Sequence, residues 1–288
     1  MKPNTAATHM ADIGGCRLHW RVSGEPGDLP DVLLDHGGSG NADNWNNLLP
    51  LLAAHTRVFA YDRAGWGEST SDGLGAGAPA VADRLSRLVA QLPIRKPYVL
   101  AGYSLGGLYA RYYAAQHPEQ VAGLVLVDTT PTQYVIPQDK VRQAMRLIRL
   151  LHWAMRLGLG RLYWYLSGRK MDAEFFRRSV SSIAARDFPA RTRDELGAIP
   201  GIQQDVERVA LRPQHPTLAV LAGTQPKMPA EDFARLRAQH EALAQVSPPP
   251  LSRLAVVAGA DHGTLLSNPA YAQEVAVHML DFARSLRR

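Results

Sequence analysis

Residues 98–107 read Tyr-Val-Leu-Ala-Gly-Tyr-Ser-Leu-Gly-Gly, and this stretch carries the most specific structural pattern of the chain. Four apolar residues open it and predict a short buried strand, while residues 108–115 after it are typical of a helix. The turn between them places Ser104 midway between Gly102 and Gly106. Small residues at these two positions allow a turn so tight that the serine is held in a strained conformation. The pattern therefore predicts that Ser104 is a nucleophile; the alternative is a glycine-rich turn whose serine only caps the helix.

Strand and helix patterns alternate on both sides of this stretch. Further strands are expected at the edge segment 16–22 and at 31–35, 57–61, 121–127, 216–223 and 251–258. Helices are expected at 81–91, 230–246 and 269–286. This order predicts an α/β fold with a mostly parallel central sheet flanked by helices. Functional residues of such a sheet collect where the carboxyl ends of its strands meet.

The alternation stops between residues 132 and 212, where no strand pattern is convincing. Helices are expected there at 141–159, 161–170, 173–187 and 196–210, with apolar residues at helical spacing and arginines between them. We predict a helical cap over residues 132–212. The core is then formed by residues 1–131 and 213–288.

Composition excludes several classes of protein. The single Cys16 rules out a disulfide framework and has no second thiol with metal-ligand spacing, so we expect no metal and no cofactor. The net charge of +6 comes largely from arginines between residues 142 and 193, which lack a nucleic-acid-binding pattern and are interpreted as solvated helix faces. Residues 1–15 contain no apolar signal region, and no apolar run could cross a bilayer. We expect a cytoplasmic monomer or homodimer that binds no nucleic acid and is not stably inserted in a membrane.

A glycine cluster, residues 36–40 (His-Gly-Gly-Ser-Gly), follows the buried strand at 31–35. Glycines at a strand end allow backbone N–H groups to face a ligand directly. We predict that the Gly38 N–H is one half of an oxyanion hole and that the Leu105 N–H is the other. The alternative is an ordinary flexible turn. His36 precedes Ser104 in the chain and is interpreted as a residue that orders this loop.

The charged loop at residues 62–69 follows the strand at 57–61. It is interpreted as a structural turn beside the site. Asp62 and Arg63 are expected to form a local ion pair there.

A serine hydroxyl needs a general base, and the base needs a group that orients it. Of the ten histidines, His262 is the one on a loop that follows a strand downstream of Ser104, with Gly263 directly after it. We predict that His262 is the base.

The segment from about residue 13 to residue 286, apart from the insertion, resembles the α/β-hydrolase superfamily. The motifs that carry the resemblance are His36-Gly37-Gly38, Asp62-Arg63-Ala64-Gly65-Trp66-Gly67, Gly102-Tyr103-Ser104-Leu105-Gly106-Gly107, Leu126-Val127-Asp128 and Asp261-His262-Gly263. The resemblance implies that fold, with a nucleophile elbow at Ser104 and a triad in the chain order serine, acid, histidine.

The acid of this triad remains open between two places in the chain. Family members usually carry it after the strand that corresponds to residues 218–222, but the turn there reads Gly-Thr-Gln-Pro-Lys and has no carboxylate. Other members carry it one strand earlier, where this chain has Asp128, and we choose Asp128 on that ground. Glu231 and Asp232 remain the alternative, although they lie in the first turn of a predicted helix, where carboxylates are favoured.

The resemblance implies a serine hydrolase that cleaves a carboxylic ester of a small to medium lipophilic substrate through an acyl-enzyme. One alternative is an amidase or aminopeptidase-like hydrolase, which would usually need an acidic anchor where this cap is basic. Another is a slow-turnover ligand sensor of the same fold. Action at lipid surfaces also stays open because the cap helices combine Arg, Trp and Leu.

Overall fold

The computed structural model describes residues 6–133, 138–159, 162, 173–209, 215–226, 228–247 and 251–286. Its strands are β1 Ala7–Asp12, β2 Arg17–Ser23, β3 Val32–Asp35, β4 Val58–Tyr61, β5 Tyr98–Tyr103, β6 Val121–Val127, β7 Thr217–Ala222 and β8 Arg253–Val257. Its helices are α1 Leu49–Ala53, α2 Ala78–Val89, α3 Leu105–Gln116, α4 Gln138–Arg156, α5 Ala173–Ala184, α6 Phe188–Arg208, α7 Ala230–Leu243 and α8 Pro269–Ser285. A short 3-10 helix spans Ala42–Trp45.

The eight strands form one sheet in the order β1-β2-β4-β3-β5-β6-β7-β8. Strands β3 to β8 run parallel to their neighbours, whereas β1 and β2 pair antiparallel at one side. The predicted α/β class is therefore confirmed. The prediction that the segment 16–22 lies at the edge is wrong, because β1 pairs with β2 along its whole length. Strand β1 is mostly exposed, so the apolar alternation that identifies half-buried strands is missing from it.

The central strands are almost entirely apolar because helices cover both faces of the sheet. In β5, Val99 and Ala101 belong to the core on the side of α1 and α8. The residues between them, Tyr98 and Leu100, belong to the core on the side of α2 and α3. The apolar run before Ser104 thus reflects burial of the strand on both faces.

Between β6 and β7 the described residues form helices α4, α5 and α6 and no strand. The helix expected at 161–170 lies outside the described residues, apart from residue 162. Helix α6 begins at Phe188, earlier than the expected 196, and continues through Pro200. Apolar packing accounts for its continuity, because Ile199, Ile202 and Val206 form one buried cluster with residues of α2 and α3. Helix α6 is therefore attached directly to the helix that follows Ser104.

Candidate active site

Ser104 lies on the turn between β5 and α3 with φ of +53° and ψ of −119°. This conformation is costly for a residue with a side chain, by about 1–3 kcal/mol, and persists only where surrounding contacts impose it. Here the Ser104 N–H donates to the Val127 carbonyl at 3.0 Å. The Ser104 carbonyl accepts from the N–H groups of Gly107 and Thr130 and from the Thr129 hydroxyl. The strained serine is thus held by its backbone and not by its side chain.

The glycines around Ser104 are required by close backbone contacts. A Cβ on Gly102 would collide with the backbone of Gly106 and Gly107, and one on Gly106 would collide with the carbonyl of His36. A Cβ on Gly107 would collide with Thr129. The three positions therefore have a steric reason to be glycine.

The sheet register brings the predicted residues to one edge. Tyr103 of β5 pairs with Val127 of β6, so the residues that follow them, Ser104 and Asp128, leave neighbouring strands at the same level. Likewise Asp35 of β3 pairs with Gly102, which places the glycine loop after β3 beside the serine turn. His262 follows β8 at the same carboxyl edge, because β5 to β8 are parallel.

Asp128 and His262 are in direct contact. His262 Nδ1 lies 2.6 Å from Asp128 Oδ2. The Asp128 side chain is only 1% exposed, and it also accepts from the Ala222 N–H and from Gln225 Nε2, both at 3.0 Å. Because an ionised carboxylate can only accept, Nδ1 is the donor, and Nε2 of a neutral imidazole remains as an acceptor. Glu231 and Asp232, the other candidate acids, lie in the first turn of α7.

Tyr103 contacts His262 through both its hydroxyl and its ring, a contact that sequence reasoning missed. The Tyr103 hydroxyl donates to the His262 carbonyl at 2.5 Å. The two rings are stacked, with centroids 5.0 Å apart and planes 20° apart. Burial raises the pKa of Tyr103, so the hydroxyl keeps its proton and remains a donor. The position of Tyr103 next to Ser104 was visible in the motif, but nothing in the pattern indicates its partner.

His36 orders the glycine loop. Its Nδ1 lies 2.8 Å from the Gly37 carbonyl, and its Nε2 accepts from the Arg63 N–H at 3.1 Å. Burial, together with the nearby Arg63 charge, holds the pKa of His36 well below its ordinary value. The ring is therefore neutral and has no free nitrogen for proton transfer. Gly38 lies two residues further on. A Cβ on Gly38 would lie 3.5 Å from Leu105 Cδ2, so the two residues predicted to donate to the oxyanion are next to each other in space.

Arg63 links this loop to the inserted helices. Its guanidinium donates to Asp35 and to the His36 carbonyl, each at 2.5 Å, and to the Gly37 carbonyl at 2.8 Å. It also donates to Glu195 of α6 at 3.2 Å. Burial alone would lower the pKa of Arg63, but the two carboxylates raise it overall, so Arg63 stays charged. The expected ion pair between Asp62 and Arg63 is wrong.

Asp62 instead belongs to a separate cluster in the same loop. It contacts His19 Nδ1 at 2.8 Å and accepts from the Ala42 N–H at 2.7 Å. Adjacent residues in the chain therefore serve different networks, since their side chains leave the loop in different directions.

A cavity of about 180 Å³ borders the Arg63 network between the loop at residues 63–66 and α6. Tyr109, Arg191 and Glu195 line it, but Ser104 and His262 do not.

Among the described residues, no cluster of three His, Cys, Asp or Glu side chains is placed to hold a metal ion. None of the helices in that part of the chain is both long and apolar enough to cross a bilayer.

A mostly parallel eight-stranded sheet, with a strained serine after β5 and a histidine loop after the last strand, defines the class of α/β hydrolases. The profile of the family described as alpha/beta hydrolase fold matches residues 30–269, and the chain belongs to that family.

Part of the chain is also similar to individual proteins of known name. It is 35% identical over 115 residues to the pimeloyl-[acyl-carrier protein] methyl ester esterase of Yersinia enterocolitica, which covers 40% of this chain and 42% of that enzyme. It is 34% identical over 141 residues to the probable transporter efuK of Hormonema carpetanum, which covers 46% of this chain and 20% of that protein. The chain therefore spans less than half the length of these relatives.

Among solved structures, a putative lipase from Acinetobacter baumannii AYE superposes with a TM-score of 0.72 at 20% identity, covering 97% of this chain and 92% of that chain. At this level of identity the similarity shows the fold.

Proposed function

We propose that this protein is a serine hydrolase that cleaves a carboxylic ester of a small to medium lipophilic substrate through an acyl-enzyme. The observation that carries the proposal is the 2.6 Å contact between Asp128 and His262 at the sheet edge where Ser104 occupies its strained turn. The name of the Yersinia relative, a methyl ester esterase, supports an ester as the bond that is cleaved.

The proton transfers in this proposal follow from the hydrogen bonds of His262. Asp128 holds Nδ1–H, so Nε2 accepts the proton of Ser104 while Oγ forms a bond to the carbonyl carbon. When the tetrahedral intermediate collapses, the same nitrogen gives the proton to the departing alcohol. Water then attacks the acyl-enzyme, and His262 acts as base a second time. Activity should fall in acid, because a protonated imidazole has no acceptor for the serine proton.

We assign the oxyanion hole to the N–H groups of Gly38 and Leu105. Leu105 is the first residue of α3, and the N–H groups of a first helical turn have no partner within the helix. The positive end of the α3 dipole adds to their effect on a developing negative charge. The contacts of His36 and Arg63 with the Gly37 backbone support a rigid position for the adjacent Gly38.

We further assign residues 132–212 as a cap on a core formed by residues 1–131 and 213–288. Helices α4, α5 and α6 belong to this cap. Its attachment to the core is supported by the apolar cluster of α6 with α2 and α3 and by the contact of Glu195 with Ser39. A cap at this place would shape the acyl or alcohol pocket above Ser104.

The test is hydrolysis of p-nitrophenyl esters from acetate to palmitate by wild type, Ser104→Ala, Asp128→Asn and the control Asp232→Asn. We expect Ser104→Ala and Asp128→Asn each to lower kcat by roughly 10³-fold or more, because members of a triad act as a unit. Asp232→Asn should retain wild-type activity. The acyl chain length of the ester that is cleaved fastest would indicate the size of the acyl pocket.

Three outcomes would contradict the proposal. Full activity of Asp128→Asn, with loss in Asp232→Asn, would place the acid in α7. Turnover of p-nitroanilide amides but of no ester would favour the amidase. A single slow acylation, without further turnover on any substrate, would favour the ligand sensor.

A further inference from the structure

Helix α4 presents a row of large apolar side chains to solvent. Leu147 is 65% exposed, Leu150 68%, Trp153 59% and Leu157, directly after the helix, 71%. With 3.6 residues per turn these four side chains lie on one side of the helix. Contiguous exposed apolar groups of this size usually mark a surface that binds a protein, a membrane or a ligand.

The exposed row lies on the side of α4 that faces away from the rest of the protein. Met145, His152 and Met155 are buried on the other side. His152 donates from Nδ1 to the Ile183 carbonyl of α5 at 2.8 Å. The inner face of α4 therefore packs against the protein through its own buried residues, and the exposed row takes no part in that packing.

Arginines flank the apolar row. Arg142, Arg149 and Arg156 are spaced by seven residues, so they share a side of the helix, and all three are exposed. Arg146 is also exposed, and on the helix surface it lies between the row of these three arginines and the row of leucines. The Arg156 guanidinium lies 5.8 Å from the centre of the Trp153 ring, where the two rows meet. Asp139 is the acidic residue of this otherwise basic helix.

We propose that this surface, called the α4 face and formed by Leu147, Leu150, Trp153 and Leu157 with Arg142, Arg146, Arg149 and Arg156, docks on an anionic lipid membrane. The proposal is independent of the catalytic assignment. A helix of this kind lies in the plane of the interface, with its leucines in the acyl region and its arginines at the headgroups. Tryptophan favours the same interface, because its ring is apolar and its N–H is polar.

Charge complementarity selects a lipid surface as the occupant. The four arginines extend from the second turn of the helix to its last residue, and each basic residue near an anionic membrane contributes to binding. A fluid lipid surface supplies phosphate groups along the whole row. Since α4 contacts α6, whose Glu195 lies at the glycine loop, docking would bring the membrane to the side of the insertion next to the candidate site.

The test uses the full chain with Ser104→Ala, so that lipids are not consumed, and measures co-sedimentation with vesicles. Vesicles of phosphatidylcholine alone are compared with vesicles that also contain phosphatidylglycerol. We expect binding to the mixed vesicles, weaker binding at high salt and little binding to phosphatidylcholine alone. Leu150→Ser should weaken binding about tenfold, and each of Arg142→Gln and Arg149→Gln roughly fivefold.

Val277→Ser is the matched control, because Val277 is an apolar residue of α8 that is 51% exposed. It should bind like the parent, and thermal unfolding should show that each variant remains folded. Quenching of tryptophan fluorescence by brominated lipid gives a second measurement, which Trp153→Phe should abolish.

Three outcomes would overturn the proposal. These are equal binding of the Ser104→Ala parent to both kinds of vesicle, unchanged binding of all α4 variants, and dimerisation that Leu150→Ser abolishes while no vesicle binds. If wild type cleaves no ester while the Ser104→Ala parent still shows the charge-dependent binding, the proposed function alone would be contradicted.

Discussion

Glu195 accepts the backbone N–H of Ser39 at 2.5 Å, although the two residues are 156 positions apart in the chain. Ser39 has φ of +53°, a conformation that a residue with a side chain rarely adopts without support. The other carboxylate oxygen of Glu195 accepts from Arg63, which also binds two carbonyls of the same glycine loop. A residue of the insertion thus holds the segment that contains Gly38.

We therefore expect Glu195→Ala to lower kcat by roughly 10- to 100-fold with a smaller change in KM, because a displaced Gly38 N–H would bind the oxyanion poorly. Glu195→Gln keeps an acceptor for Ser39 and should recover most of kcat. Asp194→Asn, an exposed neighbour on the same helix, is the control. Equal losses of kcat in the alanine and glutamine variants would show that the Ser39 contact does not matter.

Gly102→Ala should destabilise the protein, because its methyl group would meet the backbone of the serine turn. Such overpacking typically costs about 1–3 kcal/mol of the free energy of unfolding. Gly197→Ala is the comparison, because this glycine lies inside α6 with open space around it and should gain about 0.5–1 kcal/mol. Urea unfolding of both variants measures the difference, and equal effects would contradict the steric argument.

Tyr103→Phe removes the hydrogen bond to the His262 carbonyl and keeps the ring that stacks on the imidazole. We expect a loss of about 1 kcal/mol in stability and a fall in kcat of roughly tenfold, because the His262 loop loses one of its anchors. Steady-state kinetics on the preferred ester would check this. Unchanged kcat would mean that Asp128 alone is sufficient to position the ring.

Stability in acid should depend on Asp62. Burial alone would raise the pKa of Asp62, but hydrogen bonds from His19 and from the N–H groups of Ala42 and Glu68 lower it overall. The stabilisation is therefore fully present above the pKa of an unfolded aspartate, about 3.9, and is lost as the pH falls through the lower folded value. We expect Asp62→Asn to lower the free energy of unfolding by about 2–3 kcal/mol at pH 7.

Urea unfolding between pH 7 and pH 3 measures this dependence, which should be weaker in Asp62→Asn than in wild type. Asp83→Asn removes an exposed ion pair with Arg87 and should change stability by less than about 1 kcal/mol. A variant of Asp62 with wild-type acid sensitivity would refute the assignment.

Much of the architecture could be predicted because local patterns and tertiary burial agree in this chain. Strand β6 is apolar at every position since both of its faces are covered, and α3 follows a turn that only glycines permit. Strand β1 could not be predicted in the same way. It is mostly exposed and is defined by its hydrogen bonds to β2, which leave no periodic signal in the sequence.

By itself, the sequence determined the α/β class, the turn at Ser104 and the strand ends on which candidate residues lie, because steric limits and apolar periodicity act on neighbouring residues. Only the tertiary structure decided that Asp128, of three candidate carboxylates, contacts His262, and that Arg63 pairs with Glu195 rather than Asp62. These contacts join residues more than a hundred positions apart. Their energy depends on the distance between the groups and on their burial in the folded chain. Neither quantity follows from the separation of the residues in the sequence.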